Sequence, residues 1–208
     1  MNHSELNRYK EKGEKITCLT AYDASMASLI DNAGVDTILV GDSLGMVIQG
    51  AENTRSVTMQ DMMYHTSIVA SACRQALVIA DMPFHSYDDP ESALNNAKSL
   101  IDQGAKMVKI EGGSEHTDVI KTLISNNINV CGHLGLQPQL VTHSSDYKVQ
   151  GREESSAQSI INNAILLESL GVSVLVLECI PSHLAKIISD LNSLFCGISK
   201  SIKGLKNV

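Results

Sequence analysis

Asp36-Thr37-Ile38-Leu39-Val40-Gly41-Asp42-Ser43-Leu44-Gly45-Met46 decides how the rest of the chain is read. An apolar, partly β-branched run stops abruptly at a small residue, a carboxylate and a hydroxyl. Such a run reads as a buried parallel strand. Its carboxyl end then faces the mouth of an α/β sheet or barrel, where these folds place their chemistry. Asp42 therefore stands where it can hold a metal or orient a substrate. The simpler alternative is that Asp42 and Ser43 only open a turn or cap the next helix.

Working outward, the pattern recurs. Helix, glycine, apolar strand and terminal acid follow one another at Gly34 to Asp42, Gly104 to Glu111 and Gly171 to Glu178. The strand Leu77-Val78-Ile79-Ala80 ends in Asp81 in the same way, without the preceding glycine. Two further strands are read at Ile16 to Thr20 and at Ile128 to Gly132, the latter ending at His133. Helical spacing of apolar residues is read over 24–33, 59–74, 90–103, 115–125 and 156–170, and residues 1–15 read as a polar arm or first helix. Residues 43–58 and 134–153 read as long loops, the first a candidate active-site loop. Strand–helix units in series, with no hairpin signal between them, call for a parallel sheet with right-handed crossovers. A (β/α)8 barrel and an open doubly wound sheet both satisfy this. The barrel is favoured because all its strand ends share one rim, so the acids converge.

Composition narrows the class. The chain has 208 residues, enough for one sizeable core and one domain. Hydrophobic residues make up 43%, with no Trp and only 2 Phe, so the core must be aliphatic, as buried parallel strands require. A net charge of -7 argues against a general nucleic-acid binder. None of the 5 cysteines forms a C-x-x-C pair, and an odd number in a core-forming chain indicates a reducing compartment. The first fifteen residues are too polar for a secretory signal, and no apolar run reaches membrane-spanning length, so a cytoplasmic protein is expected.

Asp42, Asp81, Glu111 and Glu178 then face one mouth. Crowding carboxylates there costs several kcal/mol of desolvation per ion, on the order given by buried-ion estimates, unless a cation compensates. An all-oxygen set favours Mg²⁺ or a similar hard ion. Lys109 lies two residues before Glu111 and shares its face of the strand. A lysine there wants an anion, either a substrate carboxylate or, more simply, a neighbouring acid. His133 at its strand end reads as a hydrogen-bonding residue.

The residues that line up at the strand ends carry a family resemblance. The stretches are Thr20-Ala21-Tyr22-Asp23, Val40-Gly41-Asp42-Ser43-Leu44-Gly45-Met46, Ala80-Asp81-Met82-Pro83-Phe84, Met107-Val108-Lys109-Ile110-Glu111-Gly112-Gly113, Val130-Cys131-Gly132-His133-Leu134-Gly135-Leu136 and Tyr147-Lys148-Val149-Gln150-Gly151-Arg152. From about residue 14 to about 188 the chain resembles the ketopantoate hydroxymethyltransferase family. The resemblance implies a (β/α)8 barrel of the TIM type. It also implies the first committed step of pantothenate synthesis, in which a one-carbon unit from 5,10-methylenetetrahydrofolate is added to 3-methyl-2-oxobutanoate to give 2-dehydropantoate. By motif, Asp42 and Asp81 bind Mg²⁺ with Glu111 in support. Ser43 and Lys109 hold the keto-acid carboxylate, His133 lies beside the substrate, and Glu178 is the general base acting on a Mg²⁺-stabilised enolate. Large homo-oligomers, often decamers, are the family's habit. A keto acid and a folate are the implied partners, with no nucleic acid and no membrane.

Past about residue 188 the resemblance fades. The family continues with two more strand units, whereas Leu191-Asn192-Ser193-Leu194-Phe195-Cys196-Gly197-Ile198-Ser199-Lys200 shows no such strand, and residues 189–208 read as a divergent, basic tail. The expectation is a single barrel domain over 1–208 with about six strand units, shortened or frameshifted at its end. Six strands cannot close an eight-stranded barrel. Two alternatives to the transferase stand beside it: an inactive remnant that at most binds Mg²⁺ or a keto acid, and another Mg²⁺-dependent keto-acid carbon–carbon lyase on a related barrel.

Overall fold

The computed structural model describes residues 8, 9, 12–142, 147–191 and 195–199, the last of these as backbone only. Most of the N-terminal arm and the basic tail after residue 199 lie outside the described residues. The elements run β1 (Cys18–Thr20), α1 (Ala24–Asn32), β2 (Thr37–Val40), α2 (Leu44–Val47), α3 (Met59–Ala72), β3 (Leu77–Asp81), α4 (Pro90–Asp102), β4 (Met107–Glu111), α5 (Thr117–Ser125), β5 (Val130–Gly135), α6 (Glu154–Ser169), β6 (Val174–Glu178), α7 (Ser182–Leu191) and β7 (Phe195–Ser199). Short 3-10 turns cover Ser114–His116 and Pro138–Leu140.

The seven described strands form one parallel sheet in the order of the sequence. The six expected strand units are present. The seventh strand is one the sequence did not reveal: Phe195–Ser199 pairs in parallel with Val174–Glu178. Its five residues include a glycine and sit among polar neighbours, so no alternation announces them; the open edge of β6 supplies the pairing. Among the described strands β1 has only β2 as a neighbour.

Period-2 alternation divides the apolar residues into two layers. Val78, Ala80, Val108, Ile110, Val130, Leu175 and Leu177 point outward and pack under the helices in the main core. Leu77, Ile79, Met107, Cys131 and Val174 point inward and fill the curl of the sheet as a second cluster. Both layers are aliphatic, as the composition requires. Of the cysteines placed in apolar runs, Cys131 is buried, but Cys18 is exposed on the short β1 and Cys179 is half-buried in a left-handed turn.

Local chemistry sets the helix ends. Asp23 accepts from Met26 N at 2.9 Å at the start of α1. Thr58 and Asp61 form a reciprocal capping box on α3. Asp89 caps α4, whose first turn carries Pro90. Gly34, Gly104 and Gly171 follow α1, α4 and α6 with φ of +79°, +104° and +94°, the left-handed C′ position that sends each chain straight into the next strand.

Asp31, which no motif marks, holds the entry to β3. It is buried and accepts the backbone N–H groups of Arg74, Gln75 and Ala76 at 2.9, 3.0 and 2.7 Å. Burial pushes its carboxyl up, but the three donors outweigh burial and hold it below the usual range. A lowered carboxyl stabilises the fold above the unfolded-state pKa of about 3.9, and that contribution is lost as pH falls through the folded value. Asp31→Asn is expected to cost about 1–3 kcal/mol near neutral pH, as for hydrogen bonds to a charged group. Thermal melts should show the gap between wild type and variant narrowing below about pH 4.

Candidate active site

The strand ends carry a cavity of about 630 Å³. Every residue singled out from the sequence lines it: Asp42, Ser43, Asp81, Lys109, Glu111, His133 and Glu178. Lys109 and Glu111 alternate inward from β4 beside Met107, and Asp81 is the last inward residue of β3, so the register of parallel strands alone brings them together. Another hollow, of about 500 Å³, lies against α6, lined by Ser, Gln and Asn side chains with no titratable group.

Lys109 is only 4% exposed. Its Nζ lies 3.0 Å from Asp81 Oδ1 and 3.7 Å from Glu111 Oε1. Burial pulls the ammonium's pKa down, but Asp81, Glu111 and Asp42 outweigh it and the net shift is upward. The alternative that Lys109 pairs with neighbouring acids is therefore what this state shows. Burial raises both aspartates. Asp42 is pushed up to about 7 by burial and by Asp81, against the pull of Lys109. Asp81 is raised by burial and by Glu111, again against Lys109. Burial also pushes Glu111 up, but His133 and Lys109 bring it below the usual carboxylate value.

His133 bridges two carboxylates. Nδ1 is 3.2 Å from Glu111 Oε1, and Nε2 is 3.3 Å from Glu178 Oε2, in reach of an ion pair but out of line for a hydrogen bond. Burial and Lys109 lower its pKa; the two glutamates outweigh them and raise it. Nδ1 also lies 3.3 Å from Lys109 Nζ. One ring nitrogen cannot both donate to Glu111 and accept from Lys109. The hydrogen bond at Nδ1 is with Lys109, and Glu111 Oε1 lies within ion-pair range of the same atom.

Ser43 starts α2 without using its hydroxyl as a cap. Its Oγ instead shares a 2.7 Å hydrogen bond with Tyr22 OH, and His65 Nδ1 in turn lies 2.7 Å from Tyr22 O. Asp42 is likewise no mere turn opener: its backbone N–H donates to Asp81 Oδ2 at 3.0 Å and its Oδ2 accepts from Gln139. Glu178 is held through its backbone, since its carbonyl accepts from Leu136 N at 2.9 Å and that of Cys179 from Gln150 N at 2.8 Å. Cys179 adopts φ +52°, an uncommon value for a non-glycine residue. Leu177 points to the helix layer, so Glu178 lies among polar groups with its side chain 25% exposed.

The sequence missed Gln139. Residues 134–153 read as a polar loop, but Leu134 and Gly135 continue β5 by pairing with Leu177 and Glu178. The 3-10 turn that follows buries Gln139 at 2% exposure between the acids. The only sequence signal was Pro138, which starts the turn.

The donor set suits a hard divalent ion. Four carboxylates face one ammonium and one imidazole. Asp81 Oδ1 is buried and faces the Lys109 ammonium at 3.0 Å, with no other partner among the described residues. No group of three or more His, Cys, Asp or Glu side chains there closes on a metal by itself. Mg²⁺ asks for less, because it keeps several waters and takes one or two carboxylates with oxygens of its substrate. Asp42 and Asp81 fit that demand.

Fold and site together define a TIM-barrel-type α/β enzyme whose acids converge at the carboxyl ends of the strands. Solved structures agree on the fold. The sheet and helices superpose on 2,3-dimethylmalate lyase, a PEP mutase/isocitrate lyase superfamily member, with TM-score 0.71 at 18% identity, covering 99% of this chain and 74% of that one. A phosphonopyruvate hydrolase complex with oxalate and Mg²⁺ gives TM-score 0.67 at 13% identity, covering 95% and 80%.

The chain belongs to the ketopantoate hydroxymethyltransferase family, whose model matches residues 1–199. The match passes the point near residue 188 where the motifs fade, and it takes in β7. The 3-methyl-2-oxobutanoate hydroxymethyltransferase of Ruthia magnifica subsp. Calyptogena magnifica is 57% identical over 190 residues, 91% of this chain and 73% of that protein. The protein of the same name from Psychromonas ingrahamii is 52% identical over 182 residues, 88% and 69%. No described helix is long and apolar enough to cross a membrane.

Proposed function

We propose that this chain transfers a hydroxymethyl group from 5,10-methylenetetrahydrofolate to 3-methyl-2-oxobutanoate, giving 2-dehydropantoate for pantothenate synthesis, in the cytoplasm and as a homo-oligomer. The observation that carries the reading is the meeting of all seven motif residues around one cavity in a chain of this family. Asp42 and Asp81, with Glu111 in support, would hold Mg²⁺, which would supply a Lewis acid for negative charge on the keto oxygen. Lys109, with three N–H donors, turns one toward the substrate carboxylate while keeping Asp81. Ser43, braced by Tyr22, gives that carboxylate a hydroxyl. Glu178 removes the C3 proton; the C–H electron pair moves into the adjoining carbonyl system and then forms the new bond to the methylene carbon of the folate. The two carbon–nitrogen bonds of that methylene break with their electron pairs left on nitrogen, while water supplies the hydroxyl. Tetrahydrofolate departs carrying the two protons released from C3 and from water. His133, drawn toward its charged form, faces the Glu178 carboxylate and orients it.

The test is proton exchange without folate. In deuterated water with Mg²⁺ and 3-methyl-2-oxobutanoate, NMR is expected to show loss of the C3 hydrogen signal, and addition of a chelator is expected to stop it. Absence of exchange in protein that is folded by circular dichroism would leave only a keto-acid or Mg²⁺ binder. Product formed without any folate would point to the carbon–carbon lyase instead.

A further inference from the structure

We propose that Gln139 is a positioning residue that fixes which oxygen of Asp42 faces the cavity, making the turn after β5 part of the metal site. The proposal rests on the Mg²⁺ reading above and adds a residue that no motif supplied.

Every polar group of Gln139 has a partner. Side-chain Nε2 donates to Asp42 Oδ2 at 2.8 Å and to Met82 O at 2.9 Å. Oε1 accepts from Tyr87 OH at 2.5 Å. The backbone N–H donates to Glu111 Oε2 at 3.0 Å, and the carbonyl accepts from Arg55 Nη1 at 3.2 Å. The Arg55 guanidinium is itself seated 3.9 Å over the Phe84 ring.

The amide has one workable orientation. The carboxylate of Asp42 and the carbonyl of Met82 can only accept, and Tyr87 is left to donate. Turning the amide over would set two acceptors against its oxygen. The Met82 carbonyl therefore fixes the amide, Tyr87 meets its oxygen, and the amide fixes Asp42 by occupying Oδ2, which leaves Oδ1 for a ligand. The same residue occupies Glu111 Oε2 through its backbone. One 3-10 turn thus holds one oxygen on each of two acids, Asp42 just after β2 and Glu111 at the end of β4. Outer-shell donors of this kind orient the ligands they touch, and their loss weakens metal binding by about 10- to 100-fold.

The experiment is calorimetric titration of Mg²⁺ into the full chain without keto acid, with metal-free melting curves alongside. Gln139→Met removes the amide at similar volume; Gln139→Glu keeps the shape but turns an oxygen toward Asp42 Oδ2. Both are expected to bind Mg²⁺ about 10- to 100-fold more weakly than wild type while melting cooperatively without metal. Wild-type affinity in either folded variant would overturn the proposal, as would failure of both to fold, which would assign Gln139 to the fold alone. Asp42→Asn separates the two readings. If Asp42→Asn loses Mg²⁺ while the Gln139 variants keep it, only the positioning role fails. If wild type binds no Mg²⁺, or Asp42→Asn binds it as wild type does, the metal reading fails and takes the proposal with it.

Discussion

Glu178→Gln is expected to slow exchange of the C3 hydrogen of 3-methyl-2-oxobutanoate by about 10²- to 10⁴-fold, the range over which a positioned general base contributes. Glutamine keeps the shape of the side chain and the backbone hydrogen bonds that hold it, from Leu136 N to the Glu178 carbonyl and from Gln150 N to that of Cys179. It removes the basic oxygen 3.3 Å from His133 Nε2. Lys109, Ser43 and the aspartates are untouched, so keto-acid binding should stay close to wild type. The discriminating measurement is therefore a pair: exchange by proton NMR and keto-acid affinity by titration calorimetry. Wild-type exchange in the variant would take the base assignment away from Glu178. Loss of affinity with exchange unchanged per bound substrate would make Glu178 a binding group.

Lys109→Met is expected to cost about 3–5 kcal/mol of folding stability, the usual result of removing one partner from a buried charge set. Asp81 loses the cation 3.0 Å away, and Glu111 the one 3.7 Å away. Methionine fills the volume but answers none of the charge. The cost should depend on pH. Asp42 already titrates near 7 in the folded state because it is buried beside Asp81, and Lys109 is what restrains it. Without Lys109 the folded-state values of Asp42 and Asp81 rise further above the unfolded value of about 3.9. A raised carboxyl stabilises the protonated fold, and that contribution disappears as pH rises through the folded value. The variant should therefore melt closer to wild type at mildly acidic pH than above pH 7, and added Mg²⁺ should recover part of the loss by binding the folded state. Equal losses across that range would show that the acids are not held charged by Lys109.

The strands and the acids were legible because each lies in a pattern that local physics enforces. Thr37–Val40, Leu77–Asp81, Met107–Glu111 and Val174–Glu178 are apolar runs too short for helices, and three of them follow a glycine that ends a helix. The shared face of Lys109 and Glu111 follows from alternation alone. What stayed hidden depends on partners far away in sequence. Gln139 meets Asp42 across 97 residues, and a glutamine in a polar loop carries no sign of burial. Asp31 reads as one more polar helix residue until the loop at 74–76 is seen to end on it. Phe195–Ser199 becomes a strand only because β6 offers an edge. Glu178 lines the cavity, while Leu177 beside it in sequence points to the helix layer.

The order of the strands also dictates when the charges first meet. Each strand pairs with its neighbours in sequence, so the sheet can grow in the order of synthesis. Asp42 and Asp81 leave the ribosome before Lys109, and Glu178 leaves after His133. A nascent chain ending at β3 holds two acids bound for burial and does not yet hold Lys109. The next strand brings the cation and a new hydrogen-bonding edge together. Synthesis thus crosses a threshold at Lys109-Ile110-Glu111, before which Asp81 lacks the cation that pairs with it in the folded site and after which Lys109 can meet it, and Glu178 joins a pocket already rich in acid.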